Sequence, residues 1–219
     1  MSQIFRRRAN TIARAGVAAL VLLVGGFSLI AAGLMRSPYV TSVGIPRSQP
    51  IPYSHKLHAG QLGLDCRYCH TSVENSSFAG LPPTETCMNC HSQVGLNNPL
   101  LEPVRKSYQD SQSIEWTRVN DLPDYVYFDH SIHVNKGVGC ITCHGQVDQL
   151  AVMVPSRAWS METCLECHRD PAPYLRSPEQ IFAMHAPPPT DPKATGEQLM
   201  KTYNIDPPEK LMNCSICHR

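Results

Sequence analysis

Apolar residues run together for long only once in this chain. Ala15 to Met35 is a 21-residue stretch in which Ser28 is the single polar side chain. That length crosses the hydrocarbon core of a bilayer as a helix. Arg6, Arg7, Arg8 and Arg14 all precede it and no acid does, so the positive-inside rule puts residues 1–14 in the cytoplasm and everything after Arg36 outside. A cleaved leader has an apolar region of roughly 7–15 residues and a small-residue cleavage site. This run is longer and lacks such a site, so it reads as an uncleaved single-pass anchor. Beyond it no sustained helical or strand periodicity appears. Residues 36–51, with Pro38, Pro46 and Pro50, read as an extended tether. Residues 97–126 read as a polar surface excursion, and 169–210 as a proline-rich segment with a short helix near Pro178 to Met184.

What replaces periodicity is a repeated motif. Cys66-Arg67-Tyr68-Cys69-His70 recurs as Cys87 to His91, Cys140 to His144, Cys164 to His168 and Cys214 to His218. C-x-x-C-H is the attachment signature of c-type haem. The two thiols form thioethers with the haem vinyl groups, and the histidine becomes an axial ligand of the iron. The five copies use all ten cysteines: Cys66, Cys69, Cys87, Cys90, Cys140, Cys143, Cys164, Cys167, Cys214 and Cys217. Structural zinc or disulfides also use paired cysteines, but neither calls for a histidine after every second one. The sequence therefore implies five covalent haems with His70, His91, His144, His168 and His218 as proximal ligands.

The motifs sit in a duplication. Tyr53-Ser54-His55-Lys56-Leu57-His58 precedes the first site and Phe128-Asp129-His130-Ser131-Ile132-His133 precedes the third, and equivalent positions are 74 to 77 residues apart. Each copy reads aromatic-x-H-x-x-H, haem site, then E-T-C-x-x-C-H. The expected organisation is two dihaem modules, 52–96 and 127–168, joined by 97–126, with 169–219 carrying a single-haem site. Aromatic residues make up only 7% of the chain, against 13 glycines and 19 prolines. So little core material per porphyrin means that the haems supply most of the buried apolar volume. The expected fold is mainly α with little regular structure: short helices and loops wrapped around five haems, plus one transmembrane helix.

Of the ten histidines, five lie outside the motifs: His55, His58, His130, His133 and His185. That is one sixth ligand per iron. Within each H-x-x-H the two imidazoles cannot serve the same face of one iron, but they can point at two neighbouring haems. His55 and His130 are expected on the nearer haem of each module, and His58 and His133 on another. His185 lacks the repeat context, and Met184, Met200 and Met212 compete with it for the fifth iron. If every iron has two protein ligands, none is open to a substrate.

Formal charge is +1, of which the four arginines before the apolar run account for +4, leaving −3 for the rest. Ferric iron and propionates would take that part to about −8, which argues against nucleic acid as a partner. There is no dinucleotide fingerprint, phosphate loop or serine–histidine–acid arrangement. Asp65, Glu85 and Glu162 read as capping or propionate-side residues rather than proton-transfer catalysts. With no catalytic residue in view, the chain reads as an electron conductor.

The H-x-x-H segment ahead of C-x-x-C-H resembles class III cytochromes, including cytochromes c7 and c3. The longer stretch from Tyr53 through His70-Thr71, continuing from Phe78-Ala79-Gly80-Leu81-Pro82-Pro83-Thr84 to Cys87-Met88-Asn89-Cys90-His91, resembles the pentahaem subunit of alternative complex III. That resemblance implies an electron-transfer subunit of a bacterial quinol:electron-acceptor oxidoreductase, held at the cytoplasmic membrane with its haems on the periplasmic side. It implies as partners an integral membrane subunit that oxidises quinol, an iron–sulfur subunit, and a monohaem cytochrome c or terminal oxidase. Related quinone reductase complexes, where electrons run the other way, are one alternative. A stand-alone quinol dehydrogenase feeding a periplasmic reductase is another. A multihaem enzyme is a third, and it needs a five-coordinate iron.

Overall fold

The computed structural model describes residues 5–6, 8–187 and 190–218 and divides into two units, Met1–Ser42 and Val43–Arg219. The first unit contains α1 (Ala9–Arg36) and a short turn of helix, α2 (Pro38–Thr41). The one helix among the described residues long and apolar enough to cross a membrane is α1, and none of it is buried. It begins six residues before the apolar run, because nothing in Ala9 to Arg14 breaks a helix once one has been nucleated downstream.

In the second unit the described residues contain no strand, only an isolated bridge between Val138 and Leu175. A π-type turn spans Lys56–Gln61 and is followed by short helices: α3 (Cys66–Cys69), α4 (Thr84–His91), α5 (Glu102–Asp110), α6 (His130–Asn135) and α7 (Cys140–His144). Then come α8 (Met161–Arg169), α9 (Pro192–Thr202), α10 (Pro208–Leu211) and α11 (Cys214–Cys217). Buried apolar side chains are few: Ile51, Val73, Val104, Val134, Ala172, Leu175 and Ile181. The chain is mainly α with long irregular connections, as its composition implied.

Three segments differ from the sequence expectation. Residues from Val43 to Ile51 are not a free tether but lie on the second unit. Gly44 N donates to Pro155 O (2.9 Å), Gln49 Nε2 donates to Thr117 O (2.9 Å), and Ile51 is buried. The 97–126 excursion contains α5, which packs on α4 with Val104 buried and Thr84 Oγ1 2.6 Å from Ser107 Oγ. The proline-rich segment contains α9, started by Asp191, whose carboxylate accepts from Ala194 N (3.0 Å), with Pro192 behind it. Near Pro178 there is only a 3-10 turn, Pro178–Gln180.

The duplication folds as a reciprocal pair. Lys56 N donates to Leu150 O (2.9 Å), and Ser131 N, 75 residues after Lys56, donates to Ser76 O (3.2 Å), 74 residues before Leu150. Asn135 Nδ2 donates to Glu74 O (2.9 Å). Gly60 and Asp148 occupy the corresponding positions of the other copy, and a Cβ on Gly60 would collide with the Asp148 carbonyl. Where i of one copy meets j of the other and j meets i, the contact is isologous. Cys66 and its equivalent Cys140 are neighbours and each shifts the other's thiol, so this contact lies on the pseudo-two-fold axis.

Candidate haem-binding site

Each C-x-x-C-H segment ends in, or consists of, a short helix. Cysteines at i and i+3 and a histidine at i+4 then share one helix face. Three of the five helices, α3, α8 and α11, are capped by the side chain of the residue just before them. Asp65 accepts from Arg67 N (2.8 Å), Ser160 from Thr163 N (3.4 Å) and Asn213 from Ser215 N (3.1 Å). Glu85 and Glu162 stand in the first turns of α4 and α8, where their charge favours the helix dipole. The three acids singled out from the sequence therefore do local structural work. Asp65 also binds the Arg67 guanidinium, which holds its carboxyl below the usual range.

The spare imidazoles face the motif imidazoles in pairs. His130 and His144 have ring centres 6.3 Å apart and nearly parallel planes, His133 and His168 are 6.2 Å apart, and His58 and His91 are 6.2 Å apart. Two imidazoles ligating one iron from opposite faces through Nε2 would have centres separated by two iron–nitrogen bonds of ~2 Å and two half-rings of ~1.1 Å, or roughly 6.2 Å. The spacing fits a metal between the rings. His55 is close enough to His70 to feel its charge.

The other ring nitrogen is fixed as a metal ligand needs it. Nδ1 donates to a backbone carbonyl at His58 (Ser54 O, 2.9 Å), His70 (Gly80 O, 2.7 Å), His91 (Val94 O, 3.1 Å) and His130 (Ser77 O, 2.8 Å). The same holds at His133 (Asp129 O, 2.7 Å), His168 (Leu211 O, 2.9 Å) and His218 (Tyr125 O, 3.2 Å). A carbonyl on Nδ1 selects the tautomer whose Nε2 lone pair is free, and it orients the ring. His144 Nδ1 instead faces Asn120 Nδ2 at 3.3 Å, and Asn120 Oδ1 accepts from the Trp159 indole (3.0 Å). His55 Nδ1 is buried without a partner among the described residues. Burial pushes His55 and His144 down to about 4, so both rings are neutral near pH 7, the form that ligates iron.

The clasp that holds each pair of spare histidines is built twice on one plan. Tyr53 stacks on His58 (4.6 Å, 22°) and meets His55 edge-on (4.9 Å, 88°). Phe128 does the same with His133 (4.6 Å, 26°) and His130 (4.7 Å, 89°). The aromatic residue of the motif is thus the wall that sets the two imidazoles nearly perpendicular. Its recurrence is visible in the sequence, but that role is not.

His185 lies against Asp148. Its Nε2 contacts the Asp148 carboxylate, which is buried, and the ring stands 3.4 Å from Gln149 Nε2. Asp148 belongs to the contact with Gly60, beside the His55–His58 clasp. His218 is held by Tyr125 and stacks on it (5.8 Å), while Tyr127 N donates to Cys217 O (2.8 Å), beside the other clasp. No hydrogen bond or ring contact among the described residues joins His185 to His218. No pairing motif flanks His185 in the sequence, so only the fold could place it.

Gly80 is a point of sensitivity. It sits at φ +83°, its carbonyl orients His70, and a Cβ there would stand 2.7 Å from Ser72 Oγ. Gly80→Ala is expected to cost about 1–2 kcal/mol and to loosen His70, lowering the melting temperature of the holoprotein and broadening the ferric low-spin EPR signal of one haem.

No protein-family model matches the chain. It is 30% identical over 186 residues to the multihaem cytochrome c subunit of menaquinone reductase from Nitratidesulfovibrio vulgaris, a span covering 79% of this chain and 78% of that one. Paired cysteines in helical C-x-x-C-H segments, imidazoles facing each other across an iron-sized gap and this relative agree, and the chain belongs to the family of multihaem cytochrome c subunits that serve quinone-linked complexes.

Proposed function

We propose that this protein is a membrane-anchored pentahaem c-type cytochrome that conducts electrons in a quinol-oxidising respiratory complex of the alternative complex III kind. The observation that carries the reading is the set of three facing imidazole pairs at 6.2–6.3 Å. The haems supply the redox chemistry, and the polypeptide sets their spacing, axial ligands and hydrogen bonds. The four clasp histidines ligate four irons: His55 with His70, His58 with His91, His130 with His144 and His133 with His168. Each H-x-x-H thereby ties two haems of one module together. Four of the five irons then have no free position for substrate, which favours electron transfer over catalysis.

The complex would join this chain to an integral membrane subunit and an iron–sulfur subunit and deliver electrons to a monohaem cytochrome c or terminal oxidase. α1 would anchor it in the cytoplasmic membrane with the haem unit on the periplasmic face. A second reading, a quinone-reducing complex, is favoured by the menaquinone reductase relative. The two are separated by reducing the purified complex with a menaquinol analogue. Rapid haem reduction that is insensitive to added reduced cytochrome c supports quinol oxidation, whereas haems reduced only by the cytochrome reverse the direction.

EPR of the oxidised protein, integrated against a pyridine haemochrome count of five, tests the conductor itself. At least four low-spin haems are expected, and two or more high-spin haems in intact protein would overturn it. His185→Asn is expected to leave the low-spin count unchanged, because its imidazole serves Asp148. Loss of one low-spin signal would restore His185 as a ligand.

A further inference from the structure

Which attachment segments touch which can be read from the polypeptide alone. The first and second share the Tyr53–His58 clasp, since His58 faces His91 while His55 lies beside His70, and the Cys69 and Cys87 thiols are neighbours. The third and fourth share the Phe128–His133 clasp in the same way, with His130 facing His144 and His133 facing His168.

The two modules meet at their first sites. Ser77 O accepts from His130 Nδ1 across the module boundary (2.8 Å), Cys66 and Cys140 are neighbours, and His144 lies close to His70 and His55. The 181–182 strip covers this junction: Ile181 O accepts from Cys140 N (3.1 Å), and Phe182 O lies 4.0 Å from Cys66 Sγ. Because Cys66 and Cys140 are equivalent in the duplication, this is the one haem-to-haem junction that the pseudo-symmetry maps onto itself.

Among the described residues the fifth segment joins the fourth. Leu211 O accepts from His168 Nδ1 three residues before Cys214, α10 packs on α8, and Cys217 neighbours Cys164. No hydrogen bond or ring contact among the described residues links Cys87–His91 to Cys214–His218.

We propose that the five haems form a single unbranched row whose order differs from their order in sequence. The haem of Cys87–His91 stands at one end, followed by those of Cys66–His70, Cys140–His144 and Cys164–His168, with that of Cys214–His218 at the other end. This rests on the pentahaem reading above. It assigns the two partner-facing positions: one redox partner docks at the Cys87–His91 end and the other at the Cys214–His218 end. The inner two haems, astride the pseudo-axis, exchange electrons only with haems of this chain. The row also explains why the single-haem tail has no partner module: it extends one end of a symmetric four-haem unit and so makes the two ends different.

The test is the density of the intact complex in gentle detergent, read for porphyrin positions and thioether attachments, beside an independent haemochrome count on the same sample. The expected result is an unbranched row with the Cys66/Cys69 and Cys140/Cys143 porphyrins adjacent at its middle. Five porphyrins in a branched or ring arrangement, or with the Cys214–His218 haem beside that of Cys87–His91, would overturn the order and leave the pentahaem reading intact. A count below five would overturn the pentahaem reading and the order with it.

Discussion

Replacing Cys140 and Cys143 together by alanine is expected to abolish accumulation of holoprotein, whereas the same change at Cys214 and Cys217 leaves a folded four-haem protein. Both variants delete one attachment site, so sequence alone gives no reason for them to differ. In the structure they differ by position. Cys140–His144 lies on the pseudo-axis, where Cys140 meets Cys66, Cys140 N binds Ile181 O, and His144 packs against His130 and Trp159. Cys214 is exposed and its helix α11 is four residues long at the periphery. The second unit has few buried apolar side chains of its own, so each haem face carries part of the folding energy. At about 25 cal/mol per Å2 over a few hundred Å2, an inner porphyrin is worth on the order of 5 kcal/mol or more, comparable with the net stability of a domain. Haem-stained gels and membrane-fraction immunoblots of the two variants decide the matter. Equal loss in both would mean that the axis has no special weight.

The contrast shows where the sequence was legible. Haem attachment was readable because covalent chemistry needs fixed residues at fixed spacing, and the clasps were readable because they recur. The excess of glycine and proline over aromatics correctly implied short helices with little or no sheet. The Asp191-Pro192 pair was also a readable signal, a capping residue followed by proline at the first helical position. It was obscured by the surrounding prolines, and α9 follows from it. The docking of 43–51 could not be read, because it depends on carbonyls and amides of Thr117 and Pro155 that approach only in the fold.

The same limit applies to the histidines. Counting gave five spare imidazoles for five irons, and the count was indifferent to place. Reciprocal contacts such as Lys56 with Leu150 and Ser131 with Ser76 put one clasp on each side of the axis. Once that is known, His185 falls beside the first clasp with Asp148, and His218 beside the second. Duplication was evident in the sequence. Its consequence, a junction between the first sites of the two copies, is a property of how the copies pack.

Changing one clasp ligand while keeping the iron six-coordinate is expected to have the largest electronic effect. His133→Met replaces an imidazole with a thioether opposite His168, now 6.2 Å away ring to ring. A thioether ligand stabilises ferrous iron, and the midpoint potential of that haem is expected to rise on the order of 100 mV. For a one-electron couple that is roughly a fiftyfold preference for holding the electron, at about 59 mV per factor of ten. In the fourth position of a row the altered haem lies between two others, so the trapped electron slows flow in either direction. His58→Met makes the same chemical change at an end of the row. There the deep haem only shifts the equilibrium with one partner, and flow among the other four persists. The side chain also loses a bond in each case, since His133 Nδ1 donates to Asp129 O and His58 Nδ1 to Ser54 O, so local stability falls similarly in the two variants. Redox titration followed by flash-induced electron transfer through the complex separates the two effects. Equal potential shifts are expected, with transfer between the Cys140–His144 and Cys214–His218 haems much slower only in His133→Met. Equal transit rates would mean that the fourth haem is not between others.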